Sequence, residues 1–413
     1  MGLREQALAL HADNVGKIEI ISKVALKVRE DLNLAYTPGV AEPCKEIHRD
    51  RDLAYKYTAK GNLVAVVSDG TAVLGLGDIG PEAAMPVMEG KALLFKGFAG
   101  VDAFPACIAT KDVDEIVNFV KLLEPTIGGV NLEDISAPRC FEIEERLKKE
   151  TNIPIFHDDQ HGTAIVVCAA MINALKVVGK TFADAKFVIN GAGASAMSTC
   201  LLLLDMGAGD VTLCDTRGAI YKGRTEGMNP YKDRIAERTN PRLVKTLAEA
   251  FTGADVFIGL SVAGAASNSM VASMNEGAVV FAMANPVPEI FPDDAKAAGA
   301  AVVGTGRSDF DNQVNNVLAF PGVLRGALDA RATDINEAMK VAAAQAIAFM
   351  IRPDELKPEY VIPEALDRRV APAVAAAVAQ AAMDSGVARI KVDPAEIHQR
   401  TIDMVERANA KFG

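Results

Sequence analysis

The sequence predicts an α/β protein with two sheet-containing domains and a helical carboxyl-terminal segment. From residue 102 onward, short apolar runs alternate with longer stretches of helical periodicity, the pattern of parallel strands joined by right-handed crossover helices. Near the middle of the chain, one strand candidate runs directly into a glycine-rich turn and another helix. Residues 333–351, 363–383 and 393–412 are alanine-rich and helical in their spacing. We therefore expect the carboxyl-terminal helices to close over the first α/β domain.

Length, composition and charge limit the classes of protein that remain. The 413 residues suffice for two or three domains, and half of them are hydrophobic, as in ordinary globular proteins. The net charge of −11 argues against nucleic acid as a partner. The apolar runs fall short of the roughly 20 residues that a membrane span needs, and the amino terminus lacks the apolar core of a secretory signal. The six cysteines form no CxxC pair and are expected to be reduced, so we predict a cytoplasmic protein.

The amino-terminal region is expected to begin with short helices at 3–12 and 20–30. Tyr36 follows in an irregular stretch that Pro38-Gly39 interrupts. A tyrosine in such a stretch is as well explained by a half-buried structural role as by a functional one.

Lys91 lies within a helix expected at 82–96, which follows a strand at 62–67 and a glycine-rich segment. A lysine in a helix is usually a solvated surface group. The next four residues, Ala92-Leu93-Leu94-Phe95, are all apolar, however. This unusually apolar helix favours a lysine that is drawn into a cleft.

Acidic residues follow two consecutive strands of the first predicted sheet. The strand at 128–132 ends at Glu133-Asp134, and the strand at 153–156 is followed closely by Asp158-Asp159. Consecutive parallel strands usually lie side by side, so four carboxylates are expected at one edge of the sheet. Burying even one unpaired carboxylate costs several kcal/mol, and a divalent cation removes that cost. Oxygen donors without a nearby cysteine favour Mg²⁺ or Mn²⁺.

Zinc and a purely structural role are the two alternatives to a magnesium or manganese site at this acidic edge. His157 and His161 lie in the same turn, and imidazole ligands are compatible with zinc. A structural role would apply if the acids only cap helices or pair with Arg139.

A dinucleotide-binding fingerprint follows in the middle of the chain. A strand at 186–190 leads into a GxGxxA turn and a helix that extends to about Met206. In this fingerprint the glycines allow close approach of a pyrophosphate, and the last small residue lets the helix pack on the strand. The residues expected to contact the cofactor are Gly191, Gly193, Ala194, Ser195 and Ala196. A Rossmann fold is therefore predicted.

The cofactor itself is predicted from the end of the next strand, 210–214. Asp215 stands there, close to the offset expected for an acid that binds the ribose hydroxyls of NAD. Arg217, with Lys222 and Arg224 beyond it, offers a cation for the 2′-phosphate of NADP instead. We expect NAD, with NADP as the alternative.

Three further polar positions follow strands or precede the last helices. Ser261 ends a strand at 255–260, and Asn285 ends a strand at 278–283. Both are expected at the cofactor. The paired asparagines Asn315-Asn316 carry uncharged amides that suit a carboxylate ligand, although such amides also satisfy buried loop backbone.

In the order of its motifs, the chain resembles the malic enzymes in their shorter bacterial form. The resemblance runs from about residue 20 to about residue 385, and several of the motifs are long. They are AYTPGV (35–40), SDGTAVLGLGDIGPEAAMPVMEGKALLFK (68–96), NLEDI (131–135), FHDDQHGTA (156–164), NGAGASA (190–196), ANPVPE (284–289) and NNVLAFPG (315–322).

The resemblance implies oxidative decarboxylation of (S)-malate to pyruvate and CO₂, with NAD(P) and Mg²⁺ or Mn²⁺. The matching positions are Glu133, Asp134 and Asp159 for the metal, Lys91 for the general base, Tyr36 for the general acid, Asp158 for the residue that orients the lysine, and Asn285 and Asn316 for the substrate. Animal members of the family use an arginine for the substrate carboxylate at the position of Ala72. Members of the family are usually dimers or larger, so a homo-oligomer is expected.

The expected division is a substrate and metal domain at 1–161, an NAD(P)-binding domain at 162–320 and a helical segment at 321–413. One alternative is an oxaloacetate decarboxylase that carries out no redox step. Another is a nucleotide-sensing protein that has lost catalysis. A third is that the chain is part of a longer member of the family.

Overall fold

A computed structural model describes residues 2–73 and 75–410 of the chain. The strands are β1 Leu63–Ser68, β2 Asp102–Cys107, β3 Gly129–Leu132, β4 Ile155–His157, β5 Lys186–Asn190, β6 Asp210–Asp215, β7 Gly218–Ala219, β8 Val256–Gly259, β9 Ala278–Ala282 and β10 Ala300–Thr305. The helices are α1 Leu3–Asn14, α2 Arg29–Ala35, α3 Ala41–Arg49, α4 Ala54–Tyr57, α5 Pro81–Ala99, α6 Val113–Leu123, α7 Arg139–Glu150, α8 Thr163–Val177, α9 Ala194–Asp205, α10 Pro230–Ala236, α11 Leu247–Phe251, α12 Asn268–Ala272, α13 Pro292–Ala297, α14 Phe320–Asp329, α15 Glu337–Ala348, α16 Val370–Asp384 and α17 Pro394–Asn409. A π-helical turn, Asp158–Gly162, joins β4 to α8.

The first sheet has four strands in the order β2-β1-β3-β4, and all of its pairs are parallel. Its central strand β1 reads LVAVVS and is buried along nearly all of its length, as expected for a parallel sheet covered on both faces. β3 and β4 are neighbours in register, so the residues that follow them emerge at the same edge. The predicted α/β domain is confirmed.

The second sheet has the order β10-β9-β8-β5-β6-β7, and only the short edge strand β7 is antiparallel. The chain proceeds from β5 to β6 on one side and later to β8 on the other side of β5. This reversal of strand order is the position at which doubly wound sheets bind ligands. The predicted Rossmann fold is confirmed.

The carboxyl-terminal helices return to the first sheet, as expected. α14 is buried along its whole length and packs against α5 and α16. α17 also packs against α5, whereas α15 packs against α8. The carboxyl-terminal helices therefore contact α5 beside the first sheet as well as α8 and α9, which lead into the second.

The segment Asp158–Val177 is the one helical stretch of the described chain that is long and apolar enough to cross a membrane. It is longer than the apolar run expected from the sequence because the π-helical turn continues directly into α8. The apolar window is 72% buried, however, and α9 and α15 pack against it. Its apolar side chains belong to the protein core.

The amino-terminal segment differs from the expected pair of helices. α1 forms as predicted, but residues 20–28 are not helical, and the second helix begins only at Arg29. The segment is rich in β-branched residues with low helix propensity, and it packs no apolar stripe on the core. Its apolar side chains instead remain exposed, up to 99% for Ile20. Lys17 and Lys23 connect it to the body through Glu89 and Asp102.

Candidate active site

Three carboxylates lie together at the carboxyl ends of β3 and β4. Glu133 and Asp134 directly follow β3, and Asp159 lies in the turn after β4. One oxygen from each of the three lies within 4.8 Å of the others. The parallel register of the two strands brings these acids together, as the sequence predicts.

Backbone geometry fixes the position of Asp134. Its φ of +54° lies in the left-handed region, which aspartate tolerates better than most residues do. Its carbonyl accepts a hydrogen bond of 2.9 Å from the Ala72 amide. Its own amide donates to Asp159 Oδ2 at 2.8 Å. These two bonds hold the carboxylates near one another without help from any ligand.

The electrostatics of the cluster favour a bound cation. Burial raises the pKa of Asp134 to about 7, and the neighbouring Asp159 adds to this effect. Burial and adjacent carboxylates likewise raise the pKa of Glu133 well above its ordinary value. Asp134 Oδ2 is buried and has no hydrogen-bond partner among the described residues. An all-oxygen set with an orphaned acceptor fits a hard divalent ion such as Mg²⁺ or Mn²⁺.

Lys91 projects from α5 into this cluster. Its Nζ lies 3.1 Å from Glu133 Oε1 and makes a shorter contact with Asp158. The ammonium group lies 4.6 Å from the centre of the Phe320 ring. Burial lowers the pKa of Lys91, but the carboxylates of Asp158 and Glu133 raise it more strongly, so the net pKa is raised. Lys91 is therefore largely buried among these groups rather than solvated on the surface, and it carries a positive charge there.

Asp158 is fully buried beside Lys91. Asn316 donates to its Oδ2 at 3.2 Å, and Thr163 donates to the amide oxygen of Asn316 at 3.2 Å. Gly162 is required below it, because a side chain there would collide with Asp158 Oδ1. Asn316, expected at the substrate, therefore also fixes the carboxylate that faces the lysine.

The two histidines of the turn differ in their surroundings. His161 Nε2 lies 2.6 Å from Glu144 Oε1, on the side of the turn that faces α7. His157 is fully buried, and its Nδ1 lies 3.8 Å from Asp159 Oδ2, which is too long for a hydrogen bond. The close cluster of the described residues contains three carboxylates and neither imidazole. This donor set fits Mg²⁺ or Mn²⁺ better than zinc.

Arg139 does not neutralise the cluster. Its guanidinium donates to Asp69 Oδ2 at 2.8 Å and to Thr71 Oγ1 at 3.0 Å, and it thereby fixes the turn after β1. The alternative in which Arg139 pairs with the acids after β3 and β4 is therefore wrong.

Tyr36 is not among the described residues that contact Lys91, which are Glu133, Asp158 and Phe320. It caps the carboxyl end of α2, and 66% of its surface is exposed. Its hydroxyl makes no hydrogen bond among the described residues. The amino-terminal segment that carries it is largely exposed.

The glycine-rich turn has the geometry expected for a dinucleotide. Gly191 has a φ of +132°, and a side chain there would strike the carbonyl oxygen of Leu260. Ala196 is fully buried where α9 packs on β5. A side chain at Gly193 would meet nothing within 4 Å. That open space lies at the amino terminus of α9, where backbone amides favour a phosphate. Ala194 and Ser195, the first residues of the helix, are half-buried.

Glu289 is a buried carboxylate beyond β8 and β9 that the sequence did not single out. It is fully buried and accepts hydrogen bonds from the amides of Ser261 at 2.9 Å and Ala284 at 3.0 Å. It therefore joins the carboxyl ends of β8 and β9. The available signal was a glutamate at the end of the proline-bounded run ANPVPE. Asn285 lies in that run, half-buried, and lines a cavity of about 350 Å³ together with Arg307.

Asp215 lies at the carboxyl end of β6, as predicted, but its carboxylate is already occupied. Oδ2 is paired with Arg224 and accepts from Lys232 Nζ at 2.6 Å. Oδ1 accepts from the Arg217 amide at 2.8 Å. Arg224 was expected to be available to a phosphate, and Lys232 was not expected in this group.

Two family models match the chain. The malic enzyme N-terminal domain matches residues 15–148, and the malic enzyme NAD-binding domain matches residues 160–383. Together they cover most of the chain.

Individual proteins match over almost the full length. A bifunctional malic/malolactic enzyme from Bacillus subtilis is 64% identical over 97% of this chain and 98% of its own length. An NAD-dependent malic enzyme from Geobacillus stearothermophilus is 55% identical over 91% of this chain and 78% of its own length. The crystal structure of malic enzyme from Pyrococcus horikoshii superposes with a TM-score of 0.96 at 48% identity, covering 100% of this chain and 98% of that one. Further relatives include NADP-dependent malic enzymes about twice as long as the matched region.

Proposed function

This chain belongs to the malic enzyme family, and we propose on that premise that it converts (S)-malate to pyruvate and CO₂ at the carboxylate cluster. The hydride of malate would pass to NAD(P), and Glu133, Asp134 and Asp159 would hold Mg²⁺ or Mn²⁺. The observation that carries the proposal is the position of Lys91, whose Nζ lies between Asp158 and Glu133 at the rim of the carboxylate cluster.

Lys91 is proposed as the general base. Glu133, Asp134 and Asp159 would hold the divalent ion, which when bound would act as a Lewis acid that lowers the pKa of the malate hydroxyl and balances the negative charge that develops during decarboxylation. Lys91 must lose its own proton before it can accept one from the hydroxyl. Because the surrounding carboxylates raise its pKa, that loss requires their charge to be neutralised. Asp158, held by Asn316, keeps the amine directed at the substrate.

The hydride acceptor is proposed to lie across the carboxyl ends of β5 and β8. Gly191 and Gly193 provide the close approach for its pyrophosphate, and Ser261 and Asn285 line the nicotinamide side of the cleft. With the proposed division at residues 161 and 320, the substrate would lie between the metal domain and the nucleotide domain.

The far carboxylate of malate is proposed to bind the amides of Asn285 and Asn316. The chain has alanine at position 72, where animal members of the family use an arginine for this carboxylate.

Tyr36 is proposed as the general acid, supplied by a second copy of the chain. The segment that carries it exposes an unusual number of apolar side chains, among them Leu26 at 67% and Leu34 at 78%. Large exposed apolar patches usually mark a protein interface. A homodimer that buries this segment against the partner would deliver each Tyr36 to the other subunit.

The protein is proposed to be cytoplasmic. All six cysteines are free thiols, which suits that reducing compartment.

A spectrophotometric assay tests the reaction itself. Malate with NAD or NADP and Mn²⁺ is expected to yield NAD(P)H and pyruvate in equal amounts, and omission of Mn²⁺ is expected to abolish both. An oxaloacetate decarboxylase would consume oxaloacetate but produce no NAD(P)H from malate. A nucleotide sensor would bind NAD(P) without any turnover. Either of these results would exclude the proposed function.

Asp159→Asn is expected to weaken Mn²⁺ binding at least about 100-fold, since loss of even an outer-shell partner typically costs 10–100-fold in metal affinity. Asparagine can still accept the hydrogen bond from the Asp134 amide, so the turn should keep its shape. Titration of free Mn²⁺ by electron paramagnetic resonance measures the change. Asp114→Asn, which alters a carboxylate exposed on α6, is the matched control and should bind Mn²⁺ as the wild type does. Unchanged Mn²⁺ affinity in Asp159→Asn would rule out this residue as a ligand.

A further inference from the structure

Asp215 occupies the position that usually selects NAD. It ends β6, next to the glycine-rich turn, where the Gly191 amide donates to the Cys214 carbonyl at 2.8 Å. In dinucleotide-binding folds an acid here accepts hydrogen bonds from the ribose hydroxyls and repels a 2′-phosphate. Both effects require a carboxylate with free lone pairs and uncompensated charge.

Arg224 neutralises the Asp215 carboxylate and occupies one of its oxygens. Its side chain is 5% exposed and makes an ion pair with Asp215 Oδ2. The same guanidinium donates to the carbonyls of Glu226 at 3.0 Å and of Gly218 and Ala219 at 3.2 Å. With its donors used by the loop around it, Arg224 is part of the local fold and fixes the acid in place.

Lys232 adds a second cation to the same carboxylate oxygen. Its Nζ donates to Asp215 Oδ2 at 2.6 Å and to the Gly227 carbonyl at 2.8 Å, which leaves the third ammonium hydrogen without a partner among the described residues. Burial raises the pKa of Asp215, but hydrogen bonds from Arg224 and Lys232 lower it more strongly. The net result is a pKa of about 2. One anion and two cations leave the group with a net charge of +1.

Arg217 supplies an exposed cation at the same turn. Its guanidinium is 55% exposed and pairs with Glu226, whose side chain is 68% exposed. A surface ion pair of this kind is weak because solvent competes for both partners. A dianionic ligand can therefore displace Glu226 from Arg217 at little cost.

We propose that this turn is a 2′-phosphate subsite, formed by Arg217 and Lys232, and that the chain uses NADP in preference to NAD. The phosphate takes the free hydrogen of Lys232 and replaces Glu226 as the partner of Arg217. Asp215 serves as a structural anchor that Arg224 neutralises. The inference rests on the nucleotide site of the proposed function and reverses the preference for NAD expected from the sequence.

Calorimetric titration with adenosine 2′,5′-bisphosphate and with 5′-AMP tests the subsite without any catalysis. The bisphosphate is expected to bind wild-type protein at least about tenfold more tightly, because its second phosphate gains charge-assisted hydrogen bonds. Arg217→Gln should reduce this ratio to near one and leave the affinity for 5′-AMP unchanged. Glu226→Gln should increase the ratio, because it removes the competing anion and alters only an exposed side chain.

Arg234→Gln is the matched control for lost positive charge, since Arg234 lies on the same helix as Lys232 and pairs with Glu145. It should leave the ratio unchanged. Equal or tighter binding of 5′-AMP by the wild type would overturn the subsite, and so would an unchanged ratio in Arg217→Gln. Tight bisphosphate binding by a protein without malate turnover would refute the proposed function while supporting the subsite. The subsite and the proposed function can therefore fail separately.

Discussion

Replacing Lys91 by arginine is expected to lower kcat for malate oxidation about 10³-fold, within the 10²–10⁴-fold range of general acid–base catalysis. Arginine keeps a positive charge beside Asp158 and Glu133, so the buried carboxylates retain a partner. Its guanidinium stays protonated in proteins and cannot accept the proton of the malate hydroxyl. Stopped-flow measurement of NAD(P)H formation, with thermal unfolding to check the fold, separates proton transfer from charge compensation.

Lys91→Ala complements this experiment because it removes the cation as well as the base. It should be as inactive as Lys91→Arg but less stable, since a buried carboxylate is left unpaired. The matched control is Lys96→Ala, on the same helix α5 but half-exposed and paired with Asp102. A Lys91→Arg enzyme that retained more than a tenth of wild-type kcat would eliminate Lys91 as the base.

The carboxylate cluster is predictable from sequence because it depends on local rules. β3 and β4 are consecutive parallel strands, and acids directly after each must meet at one edge. The glycine fingerprint is predictable for the same reason, since strand, turn and helix follow one another without interruption. The assignment of roles within the cluster came from the family motifs.

Residues distant in sequence were harder to place. Lys232 reaches Asp215 only after the chain passes through β7 and a loop, and the residues between them, 17 positions apart, carry no periodic signal. The predicted helix at 20–30 failed because nothing in a single chain covers the apolar side chains of that segment. The hydrophobic periodicity of a sequence predicts which face of a segment is buried. It does not predict whether that face is covered by the same chain or by a second one.

The exposed position of Tyr36 leads to the second large effect. Tyr36→Phe removes the phenolic proton donor and is expected to lower the rate of pyruvate formation at least about tenfold, and up to 10⁴-fold, as for other general acids. The exposed benzyl ring is kept, so folding and dimer formation should not change. Size-exclusion chromatography with light scattering checks the dimer. A loss smaller than tenfold would exclude Tyr36 as the acid.

A mixed dimer then distinguishes a shared site from one formed within a single chain. Lys91→Ala and Tyr36→Phe chains, co-expressed with different tags and purified by both, form a dimer in which neither chain has an intact set. If Tyr36 acts across a twofold interface, one of the two sites combines an intact Lys91 with an intact Tyr36, and about half of wild-type activity returns. If each chain uses its own tyrosine, both sites remain defective and the mixed dimer is as inactive as its parents. Recovery therefore requires a site assembled from two copies, because no site within one mutant chain contains both groups.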